Sequence, residues 1–200
     1  MSKKLYAACV PMFAVVAFAV MPAIAQATEP HWYIGGTKIN ATKKAVTSNG
    51  VLTLHEGALE VRCTVADSGK IWNPSNGKAG EDEITAFTNS GCTTNNPECV
   101  TPEIVAIPLS LPWKTILLNV TPIRDEIKGI AVELRCGGVK VEEFTGNLTP
   151  KLVNNTPSFA EFGEGSGELV GTGTAKPKAT VTGDDNIQGS GGAIVEARNP

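Results

Sequence analysis

Two short stretches restrict the fold of this chain more than any other. In "LEVRCTV", Leu59, Val61, Cys63 and Val65 fall on one side of an extended backbone, and Glu60, Arg62 and Thr64 on the other. In "IAVELRC", Ile130, Val132, Leu134 and Cys136 alternate in the same way with Ala131, Glu133 and Arg135. Strand side chains point to opposite faces in turn, so this period of two specifies strands whose apolar face also carries a cysteine. On that basis Cys63 and Cys136 are expected to form a buried bridge between two strands, leaving Cys92 and Cys99 to close "CTTNNPEC". The alternative pairing is Cys63 with Cys92 and Cys99 with Cys136, since four cysteines allow three connectivities. A long-loop bridge contributes on the order of 4 kcal/mol by the chain-entropy estimate, and a short-loop bridge less.

Strand signals continue on both sides. "HWYIGGTKI" reads as a hairpin across Gly35-Gly36, a pair suited to positive φ. "GVLTLHEG" and Glu83–Thr88 are strand candidates, as are the segments broken by Pro108 and Pro112. "GIAVELRCGGVKVEEFTG" is a second hairpin across Gly137-Gly138. After Pro157 the chain is rich in Gly, Thr and Ser, with short strands expected at Glu168–Thr172, Lys178–Thr182 and Ala193–Ala197. Long helical patterns are missing. Many short strands at close spacing, joined by a long-range cystine, predict an all-β antiparallel β-sandwich, immunoglobulin-like in a loose sense. A partly open barrel is the alternative. Residues 28–200 read as a single domain, with 157–200 as its Gly/Thr-rich C-terminal part.

Lys3 and Lys4, an apolar run from Leu5 to Ile24 and the small-residue site Ala25-Gln26-Ala27 read as a signal peptide over residues 1–27. The expected mature chain starts at Thr28 and has 173 residues, 15 basic and 20 acidic, for a net charge of −5. That balance argues against nucleic acid as a partner, which needs a basic footprint. It suits a protein released outside the cell, with no stable membrane anchor after cleavage. The even number of remaining cysteines fits the same oxidising location.

Motifs for catalysis are sparse. No His-Glu-x-x-His, phosphate loop or dinucleotide fingerprint occurs, so no cofactor is expected. His31 and His55 lie apart, without Cys or His at metal-ligand spacing. "GEGSGE" around Ser166 lacks the strand before and the helix after that a nucleophile elbow requires. Acidic groups recur at Glu81-Asp82-Glu83, Asp125-Glu126, Glu142-Glu143 and Asp184-Asp185. Strand neighbours face opposite ways, so a working carboxylate pair would need members from two different strands. Within "WNPSNGKAGEDE" the Asn-Pro and Asn-Gly pairs form turns, and Trp72 is expected to anchor the loop beside Cys63. Its end, Glu81, Asp82 and Glu83, carries the only metal reading, for calcium. The Asn-x-Thr triplets at Asn40, Asn119, Asn147 and Asn154 read as turn composition rather than glycan acceptors.

The stretches "HWY", "CTVADSGKIWNP", "AGEDEIT", "LPWKT", "IRDEIKGI" and "VTGDDNIQG" together resemble a group of small secreted actinobacterial proteins of unknown function. The resemblance implies export and an all-β fold, and supplies no activity. The functional expectation is a secreted non-catalytic module that binds an extracellular polymer or protein, or has a structural role in the cell envelope. A secreted hydrolase with residues dispersed over the fold is the second reading, and a calcium-dependent binder the third.

Overall fold

The computed structural model describes residues 28–99 and 104–200; the expected signal peptide lies outside them. The strands are β1 (His31–Ile34), β2 (Thr37–Lys38), β3 (Lys44–Glu56), β4 (Leu59–Trp72), β5 (Glu81–Thr94), β6 (Ile104–Leu109) and β7 (Trp113–Leu118). They continue with β8 (Arg124–Cys136), β9 (Val139–Leu148), β10 (Lys151–Val153), β11 (Ser158–Phe162), β12 (Leu169–Gly171), β13 (Lys178–Gly189) and β14 (Val195–Arg198). One short 3₁₀ turn, Ser190–Gly192, is the only helical element among the described residues.

Eight strands close on themselves. β3, β4, β5, β7, β8, β9, β12 and β13 pair antiparallel in that order, and β13 returns to β3 through ten residue pairs from Thr180↔His55 to Gly189↔Val46. The expected sandwich is therefore corrected: hydrogen bonding runs round without dividing into two sheets, and the barrel alternative fits, closed rather than partly open. Closure removes the free edges that a sandwich would have to protect. The wall changes strands partway along. β7 pairs with Arg124–Lys128 of β8, and β6 takes over from Ala131 to Cys136. Likewise β10 and β11 extend the wall beyond the short β12, joining β8 at Arg124 and β13 at Gly183–Ile187.

Glycines allow the strands to coil where β3 and β13 meet. A Cβ on Gly50 would lie 1.9 Å from the Asp184 carbonyl oxygen, and one on Gly183 2.1 Å from that of Val51. Only the absence of side chains permits this backbone approach.

The disulfides pair Cys63 with Cys92 and Cys99 with Cys136, with Cα separations of 4.1 and 5.7 Å. The favoured Cys63–Cys136 and Cys92–Cys99 pairing is thus overturned. β4 and β8 are separated by β5 and β7 around the barrel, so Cys63 and Cys136 share an apolar face without being neighbours. Cys63 instead sits in a register shift between β4 and β5, where Arg62 opposes Thr93 and Thr64 opposes Ser90, which brings Cys92 alongside. The "CTTNNPEC" segment is consequently tied to the β8–β9 hairpin rather than closed on itself. Two disulfides mark an oxidising environment. Among the described residues no helix is long and apolar enough to cross a membrane.

A small sheet of β14, β1 and β2 covers one end, with the Gly35-Gly36 turn where the sequence places it. Trp32 of β1 is 2% exposed, packs against Gly80 and Leu117, and faces the barrel interior. Asn73, the first residue after β4, holds this sheet. Its Oδ1 accepts from Trp32 N–H at 2.8 Å, and its Nδ2 donates to the carbonyls of Trp32 and Ile39 at 2.9 and 2.8 Å. Asn73→Ala removes the partner of Trp32 N–H and of the Ile39 carbonyl, while the Trp32 carbonyl keeps Ile39 N–H, and is expected to lower the unfolding free energy by about 2 kcal/mol. Denaturant unfolding checks this, and Asn73→Asp, which sets a buried carboxylate oxygen against the Trp32 and Ile39 carbonyls, should not recover the loss.

Candidate functional site

The alternation that builds the walls also decides what lies inside. Along β4, Val61, Cys63, Val65, Asp67, Gly69 and Ile71 line the interior, so the apolar row is interrupted by one acid. β5, β8 and β13 contribute Asp82, Asp125 and Asp185 to the same space. Three of the four acidic groups seen in the sequence thus place one member inside. Of their neighbours, Glu126 and Asp184 do not line this space, and Glu83, which borders it, has its carboxylate bound by Lys43 at 2.8 Å and by Lys114, while Glu126 binds Lys128 at 3.1 Å.

The four aspartates form two pairs from different strands. In the first, Ser48 Oγ on β3 lies 2.7 Å from Asp185 Oδ2 and also contacts Asp67 Oδ2. A serine hydroxyl carries one proton and can donate to only one of them. The other carboxyl must itself donate, so the arrangement requires a protonated aspartic acid. Burial, followed by the proximity of Asp67, raises Asp185 to about 8 against the opposing contact from Ser48. In the second pair, Asp82 and Asp125 lie within hydrogen-bond reach of each other. Burial and then the charge of Asp125 hold Asp82 well above the usual carboxylate range. Burial also raises Asp125 to about 7, tempered by Thr115 and by the contact from Asp82. Two carboxyls in a low-dielectric site share a proton because both cannot ionise cheaply.

Both pairs border an internal cavity of about 160 Å³, walled largely by Val, Leu and Ile side chains with Phe87, Trp113, Phe162 and Trp32. Among the described residues no Lys, Arg or His lines it. One oxygen each of Asp82, Asp125 and Asp185 lacks a donor other than a carboxyl proton. Thr115 Oγ1, although beside Asp125, makes no hydrogen bond of good geometry. Glu83 shows the contrast: its contacts with Lys114 and Lys43 hold its carboxyl down to about 2.

The other predicted positions disperse. Glu81, Asp82 and Glu83 do not converge, because Asp82 points in while the Glu83 carboxylate is held by Lys43 and Lys114; among the described residues no three His, Cys, Asp or Glu side chains are grouped to hold a metal ion. Trp72 is corrected: it lies on the outer face under Lys43, whose Nζ is 4.3 Å from the ring centroid, and Ile71 takes the buried position. Ser166 is 1% exposed and its Oγ accepts from Gly163 N–H, which caps a turn. His31, the first residue of β1, is buried, and burial holds its pKa below the ordinary value. His55, on the outer wall, reaches Thr182 Oγ1 with Nε2 at 2.9 Å and Glu60 Oε1 with Nδ1 at 3.4 Å. Of the acids inside, Asp67 was missed, although its place two residues after Val65 continues the inward row. No family model, curated protein or solved structure matches the chain.

Proposed function

We propose that this is a secreted, non-catalytic binding protein of the cell exterior, exported by its N-terminal signal segment, whose barrel encloses a small ligand. The group of small secreted actinobacterial proteins named above remains its proposed kin. The observation that carries the reading is the internal cavity, apolar on its walls and polar at two fixed points. Eight-stranded barrels are just wide enough to be filled by side chains or to hold one small guest. A cavity of about 160 Å³ is close in size to an engineered apolar cavity that takes up benzene. A few polar groups in an apolar compartment fix the orientation of a guest. The test is a titration of Trp32 and Trp113 fluorescence with compact guests of about five or six heavy atoms: benzene, isobutanol and isobutylamine. Saturable binding of at least one guest at one per chain is expected, with loss of that binding in the cavity-filling variant Leu52→Trp. A folded wild-type protein that binds none of them refutes the reading.

The hydrolase reading has one observation in its favour, the Thr182–His55–Glu60 chain of contacts on the outer wall. It is weaker for a physical reason. The three residues belong to adjacent strands whose N–H groups are committed to the ladder, so no pair of free backbone donors faces Thr182 as an oxyanion hole would require. Cross-strand polar pairs of this kind stabilise sheets. If any ester hydrolysis is found, His55→Ala is expected to leave its rate unchanged; a loss of about a hundredfold would instead mark general-base catalysis.

A further inference from the structure

We infer that the guest of the barrel is a compact organic ammonium ion, seated with its charged head against the Asp82–Asp125 and Asp67–Asp185 pairs and its hydrocarbon body against the aromatic and aliphatic walls. This inference rests on the reading of the interior as a ligand compartment and names the class of ligand that compartment takes. Four aspartates border one internal space beside the lysine-paired Glu83, and among the described residues no Lys, Arg or His lines it. Burial keeps protons on Asp125 and Asp185 until pH rises through 7 to 8, and above that range the interior carries negative charge without a countercharge. Buried charge is tolerated when it is paired, and the missing partner must come from outside the chain.

The shape of the site selects among cations. A calcium ion takes six to eight oxygen ligands at close range, whereas among the described residues no three acidic, His or Cys side chains are grouped to hold a metal ion. A guanidinium would suit a single flat carboxylate fork. An ammonium donates in several directions, and an alkyl ammonium also fills the apolar volume. Phe87, Trp113, Phe162 and Trp32 line the same space, and aromatic faces attract desolvated cations. The unpartnered oxygens of Asp82, Asp125 and Asp185 are acceptors for such a guest. Anionic guests are repelled by the same groups.

Protons compete with the cation. The acids bordering the cavity are Asp67, Asp82, Glu83, Asp125 and Asp185; the Glu83 carboxylate is paired with Lys43 and Lys114, and Glu126 lies outside with Lys128. An amine stays protonated well above neutrality, so its binding should strengthen as pH rises through 7 to 8, with protons released on binding.

The experiment is calorimetric titration of the mature protein with isobutylamine and with its neutral isostere isobutanol, at pH 5.5 and pH 8.5, in two buffers of different ionisation enthalpy. At pH 8.5 the amine should bind at least about tenfold more tightly than the alcohol, release protons, and lose most of its affinity at pH 5.5. Asp125→Asn with Asp185→Asn should remove the preference while alcohol binding persists, which shows that the variant is folded. Alcohol binding without amine preference overturns the ammonium assignment and leaves the ligand compartment standing. Binding of neither guest overturns both. Calcium chloride that competes with the amine at equal concentration also overturns the assignment.

Discussion

The protein is expected to be most stable near pH 4 to 5 and to lose several kcal/mol of unfolding free energy as pH rises to 9. The sign follows from the interior acids. Asp125 and Asp185 are raised to about 7 and about 8 when folded, and Asp82 is raised with them. Unfolded, they ionise near the ordinary aspartate value. Between these limits the folded state binds more protons than the unfolded one, and each retained proton costs up to about 1.4 kcal/mol per pH unit. The contribution is whole below the unfolded value and is lost as pH rises through 7 to 8. Glu83 acts oppositely: lowered to about 2, it stabilises above pH 4 and is lost as pH falls toward 2. Denaturant unfolding from pH 3 to 9 checks the curve. Replacing Asp125 and Asp185 by Asn, which cannot ionise, should flatten the alkaline arm; an unchanged slope would sink the account of shared protons.

The second large effect concerns the cystines. They close loops with sequence separations of 29 and 37 residues, so each should contribute about 3.5 to 4 kcal/mol by the chain-entropy estimate. Cys63→Ala with Cys92→Ala and Cys99→Ala with Cys136→Ala are therefore expected to destabilise by similar amounts. The pairing first favoured from the sequence would have made one bridge strong and the other weak. Non-reducing peptide mapping should join the Cys63 and Cys92 peptides. A peptide containing both Cys92 and Cys99 bridged to each other would contradict the fold.

Period-two alternation revealed which residues face in, and it did so for Val61, Cys63 and Val65 on β4 and for Ile130, Val132 and Leu134 on β8. It did not reveal who sits beside whom. Pairing depends on strand order round the barrel, and the closing contact joins β3 to β13 across more than a hundred residues. That is why Cys63 and Cys136 were placed on one face correctly and bonded wrongly. The acidic groups were legible as candidates, and so was the rule that a pair must come from two strands. Which member of each group turns inward depends on the phase of its strand, fixed by partners such as Ile71 opposite Asp82 and Leu117 opposite Asp125. Asp67 was the one interior acid whose phase the sequence did disclose. It stands alone rather than in a group, and so drew no notice.

A crystal structure of the mature protein grown at pH 8.5 with isobutylamine tests the central claim most directly. One amine is expected inside the barrel, its nitrogen within about 3 Å of an aspartate oxygen and its carbons against Phe87 and Trp113. A barrel whose interior is filled by repacked side chains, or an amine found only on the outer surface, would contradict it.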